Sequence, residues 1–200
     1  MAIKGLSVPF FGKYSASGST VTYSEGKTIG HAISYQIDPE TSEDNPLYGD
    51  NKVIEHDKGR FQRGTLTLGT SELTDTVSKW LLGLSEGTVS VGSGQDAVSV
   101  TTYSYDDDAA PITVGFGIIE LHQIDDTDTY KTVILPKCVP NIPSGSANTK
   151  GASVEWQTPE ITFAVERSDA EKHPWKIEAW HTSETDAIAY LQAQLGYSAG

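Results

Sequence analysis

Cysteine is almost absent from this 200-residue sequence, and so are basic clusters and long apolar runs. The single Cys138 cannot form an internal disulfide, and no CxxC or His–Cys pairing accompanies it, so we expect a buried core residue. No apolar run approaches the roughly 20 residues of a membrane helix. The N-terminal stretch is broken by Gly5 and Pro9 and lacks the apolar segment of a signal peptide. We therefore expect a protein that is made in the cytoplasm and has no membrane partner.

Basic side chains are outnumbered by acidic ones, 14 against 27, which gives a net charge of −13 at pH 7. The acidic surplus is spread along the chain and no Lys/Arg cluster stands out, so tight binding to nucleic acid phosphates is disfavoured. Two interpretations remain open. The chain is an ordinary soluble acidic protein, or its surface tolerates DNA nearby without holding it, since like charges repel.

Motifs of catalytic or cofactor sites are also missing. The five histidines show neither HxH nor HxxxH spacing, which disfavours a zinc site. There is no GxSxG, no GxxxxGK[ST] and no GxGxxG after a strand. Asp126 and Asp128 resemble the start of a calcium loop, but the glycine and glutamate that would complete the loop are absent. We expect no enzyme activity, no cofactor and no metal site.

Alternating apolar residues predict a mainly β protein. Ile33, Tyr35 and Ile37 alternate with polar residues, which indicates a half-buried strand. Residues 1–28 read as an arm with a short hairpin. Residues 112–139 predict a second hairpin with an acidic tip, whose return strand contains Pro136 and therefore has an edge or a bulge there. Further strands are predicted over residues 61–68, 97–103, 154–166 and 175–180, with Pro159 as a kink.

Two apolar stripes at helical spacing predict short helices. The first follows a cap at Thr70 or Ser71 and stops at Gly83 or Gly87; the second follows a cap formed by Ser183 and Asp186 and stops at Gly196. The fold class is thus mainly β, with seven or eight strands, two flanking helices and no repeated βαβ unit, in one domain over residues 1–200. The stripe residues are Leu73, Val77, Trp80, Leu81 and Leu84 in the first helix, and Ala187, Ile188, Leu191 and Leu195 in the second.

The regular pattern stops over residues 38–60, which contain two prolines and many charges. We expect a long structureless loop there, because loops of this length are uncommon in a compact domain and usually carry function. The loop contains a short apolar group, Pro46, Leu47 and Tyr48. We predict that the loop becomes ordered by packing this group against a neighbouring subunit. The expected interface residues are Asn45, Pro46, Leu47, Tyr48, Asp50 and Asn51.

Several segments resemble, in order, the major tail protein of siphovirus-type bacteriophages, which stacks as rings into the tail tube. The pieces are individually unspecific, and their order and spacing along nearly the whole chain carry the resemblance. They are Ile3-Lys-Gly-Leu-Ser, Asp44-Asn-Pro-Leu-Tyr-Gly-Asp-Asn-Lys, Gly64-Thr-Leu-Thr-Leu-Gly, Leu81-Leu-Gly-Leu, Lys131-Thr-Val-Ile-Leu-Pro-Lys and Glu184-Thr-Asp-Ala-Ile-Ala-Tyr-Leu.

The resemblance implies a β-sandwich or incomplete barrel of the tail-tube type, assembled into hexameric rings around a lumen that carries DNA. It implies partners as well: other copies of the chain, a tape measure protein, tail tip and terminator proteins, and passing genomic DNA that is not bound tightly. It places the protein in the virion tail. Since the chain ends soon after its last predicted helix, we expect no C-terminal immunoglobulin-like domain.

Two other classes stay open. The first is another self-assembling phage protein, such as a contractile-tail tube, a tail terminator or a capsid decoration protein. The second is a carbohydrate-binding or hydrolytic β-sandwich, which would need clustered exposed aromatic side chains beside a pair of carboxylates. We expect the opposite arrangement, with Trp80 on the core face of a helix and Trp156, Trp175 and Trp180 in strands.

Overall fold

A computed structural model describes residues 2–92, 97–145, 147–149 and 156–197, and within these ranges it contains twelve strands and two helices. In chain order they are β1 Ile3–Ser17, β2 Thr20–Thr28, β3 Ala32–Thr41, β4 Asn45–Gly49, β5 Lys52–Asp57, β6 Phe61–Thr70, α1 Asp75–Leu82, β7 Ser85–Val91, β8 Val98–Ser104, β9 Val114–Ile124, β10 Thr127–Pro140, β11 Glu160–Glu166, β12 Ile177–His181 and α2 Glu184–Gln194.

Eight of the strands form one antiparallel sheet in the order β2–β1–β9–β10–β11–β6–β3. The eighth strand, β12, pairs with the first part of the long β10, and β11 pairs with its last part. The end strands β2 and β3 are not paired with each other in the described structure, so the sheet is not closed into a barrel. The predicted mainly β class is confirmed. The remaining four strands form two separate ribbons, β4–β5 and β7–β8.

The sheet curls around its main core. Phe11 on β1 stacks against Phe163 on β11, with ring centroids 5.4 Å apart. These strands are three places apart in the sheet, a separation of about 14 Å if the sheet were flat. Strong curvature therefore brings its two halves face to face. Inward residues of β9 such as Phe116 and Ile118 fill the space between the halves, and Leu81 of α1 closes one side.

A second, smaller core lies between the opposite face of the sheet and α2. Ile119 and Phe10 pack there against Ala187, Leu191 and Leu195 of the helix, all of them buried. The close approach requires glycine on the strands, because a Cβ at Gly117 would lie 2.8 Å from Leu195 Cδ1. Apolar residues on both faces of the central strands follow from this arrangement of two cores, and they explain why β9 reads as an almost continuous apolar run.

The two helices lie where the sequence predicts them, with one corrected boundary. Thr74 precedes the first turn of α1, so the predicted cap at Thr70 or Ser71 is wrong; both residues belong to the end of β6 and the turn after it. Gly83 ends α1 with a φ of 66°, as predicted. In α2 the Ser183 hydroxyl accepts a hydrogen bond from the Asp186 amide at 3.1 Å, which confirms the predicted cap. In the described residues, neither helix has the length and apolar character needed to cross a membrane.

Three segment predictions need correction. The hairpin predicted within residues 1–28 is confirmed, because β1 and β2 pair across a turn at residues 18–19. These residues are not an arm, however, since β1 is a long inner strand of the sheet held between β2 and β9. Residues 38–60 are not a structureless loop, because β3 continues to Thr41 and the β4–β5 ribbon follows. The strand predicted over 154–166 begins at Glu160, after Pro159; residues 150–155 lie outside the described residues.

Two bulges decide which way side chains point. The pairing of β10 with β9 shifts between Leu135 and Cys138, so Pro136 lies in a bulge as predicted. The pairing of β3 with β6 shifts at Ile33, which leaves this side chain 50% exposed while Tyr35 and Ile37 pack against the core. The extra residue reverses the alternation, and the predicted inward position of Ile33 is therefore wrong.

Candidate assembly surfaces

The β4–β5 ribbon and the residues that join it to the sheet form a projecting hairpin, residues 42–60, which we call the arm. Its strands continue the pairing of β3 with β6 beyond the edge of the sheet. The turn at its tip consists of Asp50 and Asn51, with φ of 48° and 60°. Two successive positive φ values are the mark of a two-residue hairpin turn, and Asp and Asn tolerate them better than most residues.

The base of the arm is held firmly to the body. Ser42 and Arg60 exchange two hydrogen bonds, from the Ser42 amide to the Arg60 carbonyl and from the Arg60 amide to the Ser42 hydroxyl, each 2.9 Å long. Phe61, directly after the arm, stacks on Trp175 with ring centroids 4.3 Å apart, and its carbonyl accepts hydrogen bonds from Arg167. The arm is thus a defined extension of the fold with a fixed base.

Apolar side chains are exposed on both faces of the arm tip. Tyr48 and Val53 are cross-strand partners and share one face, and they are 66% and 43% exposed. Leu47 lies on the other face, because successive strand residues alternate. Ile54 is the extra residue of a bulge, and its side chain lies against Gly49, which places it on the face of Leu47. Leu47 and Ile54 are 58% and 67% exposed.

The six residues predicted as an interface therefore lie together on the arm. Asn45, Pro46, Leu47 and Tyr48 belong to β4, and Asp50 and Asn51 form the turn. Sequence reasoning missed Val53 and Ile54 on β5, although the Gly-Asp-Asn-Lys turn between two short apolar runs is the signal that identifies them as the returning strand of a hairpin.

The β7–β8 ribbon carries a second exposed apolar surface. Val89 pairs with Val100, and Val91 pairs with Val98, so the four side chains lie on one face of the ribbon, which we call the valine face. They are between 44% and 62% exposed. The opposite face carries hydroxyl pairs, of Thr88 with Thr101 and of Ser90 with Ser99.

Glu86, near the start of β7, is the one charged residue in the described part of the ribbon, and none occurs at positions 87–92 or 97–105. The register of the ribbon has no shift, and within the described residues its strands pair only with each other. Exposed strand edges are usually protected by charges, prolines or bulges, and apart from Glu86 the described part of this ribbon has none of them. The sequence prediction recognised only one strand here; the repeated Val-Ser-Val at 89–91 and 98–100 is the signal for both.

A buried polar cluster at one end of the main core is the best candidate for chemistry. Glu120 and His122 are 4% and 5% exposed, and the Glu120 carboxylate accepts a hydrogen bond from the Tyr35 hydroxyl and lies 2.8 Å from His122 Nε2. Burial and this hydrogen bond raise the pKa of Tyr35. Lys131 Nζ lies 3.8 Å from Glu120. Both side chains are too deeply buried for a substrate to reach them in this conformation, and the arrangement fits a polar core network in which, among the described residues, His122 Nδ1 has no hydrogen-bond partner.

Cys138 has no exposed surface, and burial raises the pKa of its thiol, so the predicted core position is confirmed. Among the described residues, no group of three or more His, Cys, Asp or Glu side chains is arranged to hold a metal ion. Trp156 is 89% exposed and precedes β11, so its predicted strand position is wrong; Trp175 precedes β12, while Trp180 lies within that strand as predicted.

The chain has no match among known protein families. No family model and no curated protein matches it. The resemblance to tail proteins therefore rests on the sequence segments alone, and function has to be argued from the surfaces just described.

Proposed function

We propose that this chain is a structural subunit that assembles with copies of itself, the tail-tube protein of a long-tailed bacteriophage. The observation that carries the proposal is the arm: an anchored hairpin that extends beyond the sheet and exposes apolar side chains on both faces of its tip. A two-stranded ribbon in water is only marginally stable alone, and exposed aromatic and aliphatic anchors are typical of interfaces. The arm suits insertion into a neighbouring subunit.

The rest of the molecule supports this function. In the described residues the end strands β2 and β3 of the open, curled sheet each leave one edge unpaired, and these edges can be offered to neighbouring subunits. Contacts between two different surfaces of the same chain close into rings or continue as filaments. The acidic surface allows DNA to pass through a lumen without being retained. By the resemblance, such a tube forms in hexameric rings with a tape measure protein inside and tip and terminator proteins at its ends.

The test is to shorten the arm. Residues 45–57 are replaced by a two-residue turn, which leaves the Ser42–Arg60 hydrogen bonds in place. We expect a folded monomer with an unchanged melting temperature, whereas the complete chain forms hollow rings or tubes in negative-stain electron microscopy of the concentrated protein.

A point substitution tests the side chains at the arm tip while leaving the two arm strands in place. Tyr48→Ala should weaken assembly in the same direction as shortening, and Ile142→Ala is the matched control, because Ile142 is 74% exposed but lies outside the arm and the ribbon. Normal tubes from the shortened chain would show that the arm is not an interface. A complete chain that stays monomeric at high concentration would contradict the proposed function itself.

A further inference from the structure

The valine face needs a cover that the described chain does not provide. Its four valines are about half exposed, although valine is among the residue types most often buried in folded proteins. Exposed apolar rows of this kind mark interaction sites. The strand edges of the ribbon also favour an interaction site, because a protein that stays monomeric normally protects exposed edges with charges, prolines or bulges.

Charge identifies the kind of partner. Each copy of the chain carries a net charge of −13, so two copies repel each other over most of their surfaces. The valine face belongs to the stretch 87–105, whose one charged residue is Asp96, within the positions 93–96 that lie outside the described structure. A second copy can approach this face without bringing like charges together, provided that it presents an apolar surface of its own.

The chain offers such a surface in the arm tip. The arm edges carry Pro46, Lys52 and Glu55, which oppose pairing through the backbone and favour contact through a face. Of its two faces, the one with Leu47 and Ile54 exposes only aliphatic apolar side chains, flanked by one lysine and one glutamate of opposite charge, Lys52 and Glu55. The other carries the Tyr48 hydroxyl, which needs a hydrogen-bond partner when it is buried, and a row of valines provides none.

We propose that the valine face of β7–β8 is the docking site for the Leu47–Ile54 face of the arm of a second copy of this chain. The contact is heterologous, because each copy uses two different surfaces: its arm tip on one neighbour and its valine face on another. Such a contact propagates from copy to copy and ends only when a ring closes. The inference rests on the proposed self-assembly and names the surface that receives the arm.

The experiment is a cross-link between two singly substituted chains. Ile54→Cys and Val98→Cys chains are mixed under assembly conditions and treated with a short thiol-specific cross-linker. The native Cys138 is fully buried and does not compete. We expect a cross-linked dimer in the mixture and none when either chain is treated alone.

Two matched controls test the assignment of faces. Ser99→Cys places the thiol on the hydroxyl face of the same ribbon, and Tyr48→Cys places it on the other face of the arm. Ser99→Cys should not cross-link to Ile54→Cys, and Tyr48→Cys should not cross-link to Val98→Cys. A dimer from Val98→Cys alone would mean that ribbons pair symmetrically, and a dimer from Tyr48→Cys with Val98→Cys would mean that the other arm face docks; either result overturns the proposal.

A second variant does not depend on cross-linking. Replacing all four valines by threonine keeps the β-branched shape, so the ribbon should fold and the melting temperature should stay the same. We expect the concentration needed for half-assembly to rise by about tenfold or more, because methyl burial is lost. The double variant Ser90→Thr and Ser99→Thr, on the opposite face, should leave the concentration needed for half-assembly unchanged. If tubes form normally from the threonine variant, only this inference fails; if the native chain never assembles, the proposed function fails with it.

Discussion

Glu178 on β12 lies between two lysines at the edge of the buried polar cluster. Its Oε1 is 2.8 Å from Lys131 Nζ and 2.6 Å from Lys176 Nζ. Hydrogen bonds from Lys131 and then Lys176 hold the pKa of this carboxyl below its usual value of 4.5. Because the folded pKa is depressed, the ion pairs stabilise the protein above that pH, and this contribution is lost as the pH falls through the folded pKa.

Glu178→Gln tests this contribution. The variant should melt at a lower temperature than the native chain near neutral pH. The difference should shrink as the pH falls through the lowered pKa of the folded carboxyl, where the native carboxylate becomes protonated. Melting curves across that range provide the measurement. Asp107→Asn removes the same charge from an exposed turn and should show little effect at any pH. A difference that persists in acid would mean that Glu178 acts through packing.

Single residues were predictable where one local rule governs them. Pro136 predicted a bulge because proline has no amide hydrogen to donate to the neighbouring strand. A core position could be predicted for Cys138 because no nearby residue gives it a chemical role. Ile33 was not predictable, since a bulge in the pairing of β3 with β6 reverses its direction and a bulge depends on the partner strand. Glu120 was missed as a core residue, because the Tyr35 hydroxyl that donates to it comes from a distant part of the chain. His122 was missed with it, since its partner Glu120 lies only two residues away.

Among the elements, α2 depends most on glycine in the strand beneath it. A Cβ at Gly12 of β1 would lie 2.2 Å from the Leu195 carbonyl oxygen at the end of the helix. Backbone atoms cannot yield as the end of a flexible side chain can, so the helix itself would have to move. Leu195 and Leu191 would then lose part of their burial in the second core.

Gly12→Ala should therefore destabilise the protein by about 1–3 kcal/mol, the usual cost of overpacking. Gly5→Ala in the same strand is the matched control, because its Cβ would meet only Leu121 side-chain atoms at 3.9 Å or more, an ordinary contact. Chemical denaturation of both variants gives the comparison. Equal stabilities would show that α2 adjusts freely and does not depend on this close approach.

The arm and the ribbon show why some elements escape a sequence prediction. Helices α1 and α2 are signalled by periodic apolar stripes that pack on the body. Apart from Tyr103 of β8, the apolar residues of the arm and the ribbon do not pack against the main core in the described chain. Only turn signals and valine repeats therefore indicate these strands in the sequence. Strands that pack little on their own chain resemble polar loops in the sequence.

For the whole molecule, the sequence pattern predicted the class but not the architecture. Alternating apolar residues indicated strands, and the protein is mainly β as predicted. Strand order, the curl that stacks Phe11 on Phe163, and the division into two cores depend on contacts between residues far apart in the chain. No local pattern encodes such contacts.

Half of the basic side chains are paired with carboxylates within the fold. Seven of the 14 Lys and Arg side chains lie within 4 Å of a carboxylate in the described structure. The arm contains three further basic side chains but five acidic ones, a net charge of −2. The seven paired residues are Lys4, Lys13, Arg63, Lys79, Lys131, Lys137 and Lys176.

The protein should therefore bind duplex DNA only weakly, in both the monomeric and the assembled state. Retention of DNA depends on cations that replace the counterions of the phosphates. Half of the basic side chains here face carboxylates, and the surplus negative charge of the chain repels the duplex. We expect a dissociation constant weaker than about 100 µM even at low salt, where electrostatic binding is strongest. Fluorescence anisotropy of a labelled duplex, titrated with monomer and with tubes at several salt concentrations, measures it. Micromolar binding that weakens steeply as salt is added would reveal a basic surface and would contradict a lumen through which DNA slides.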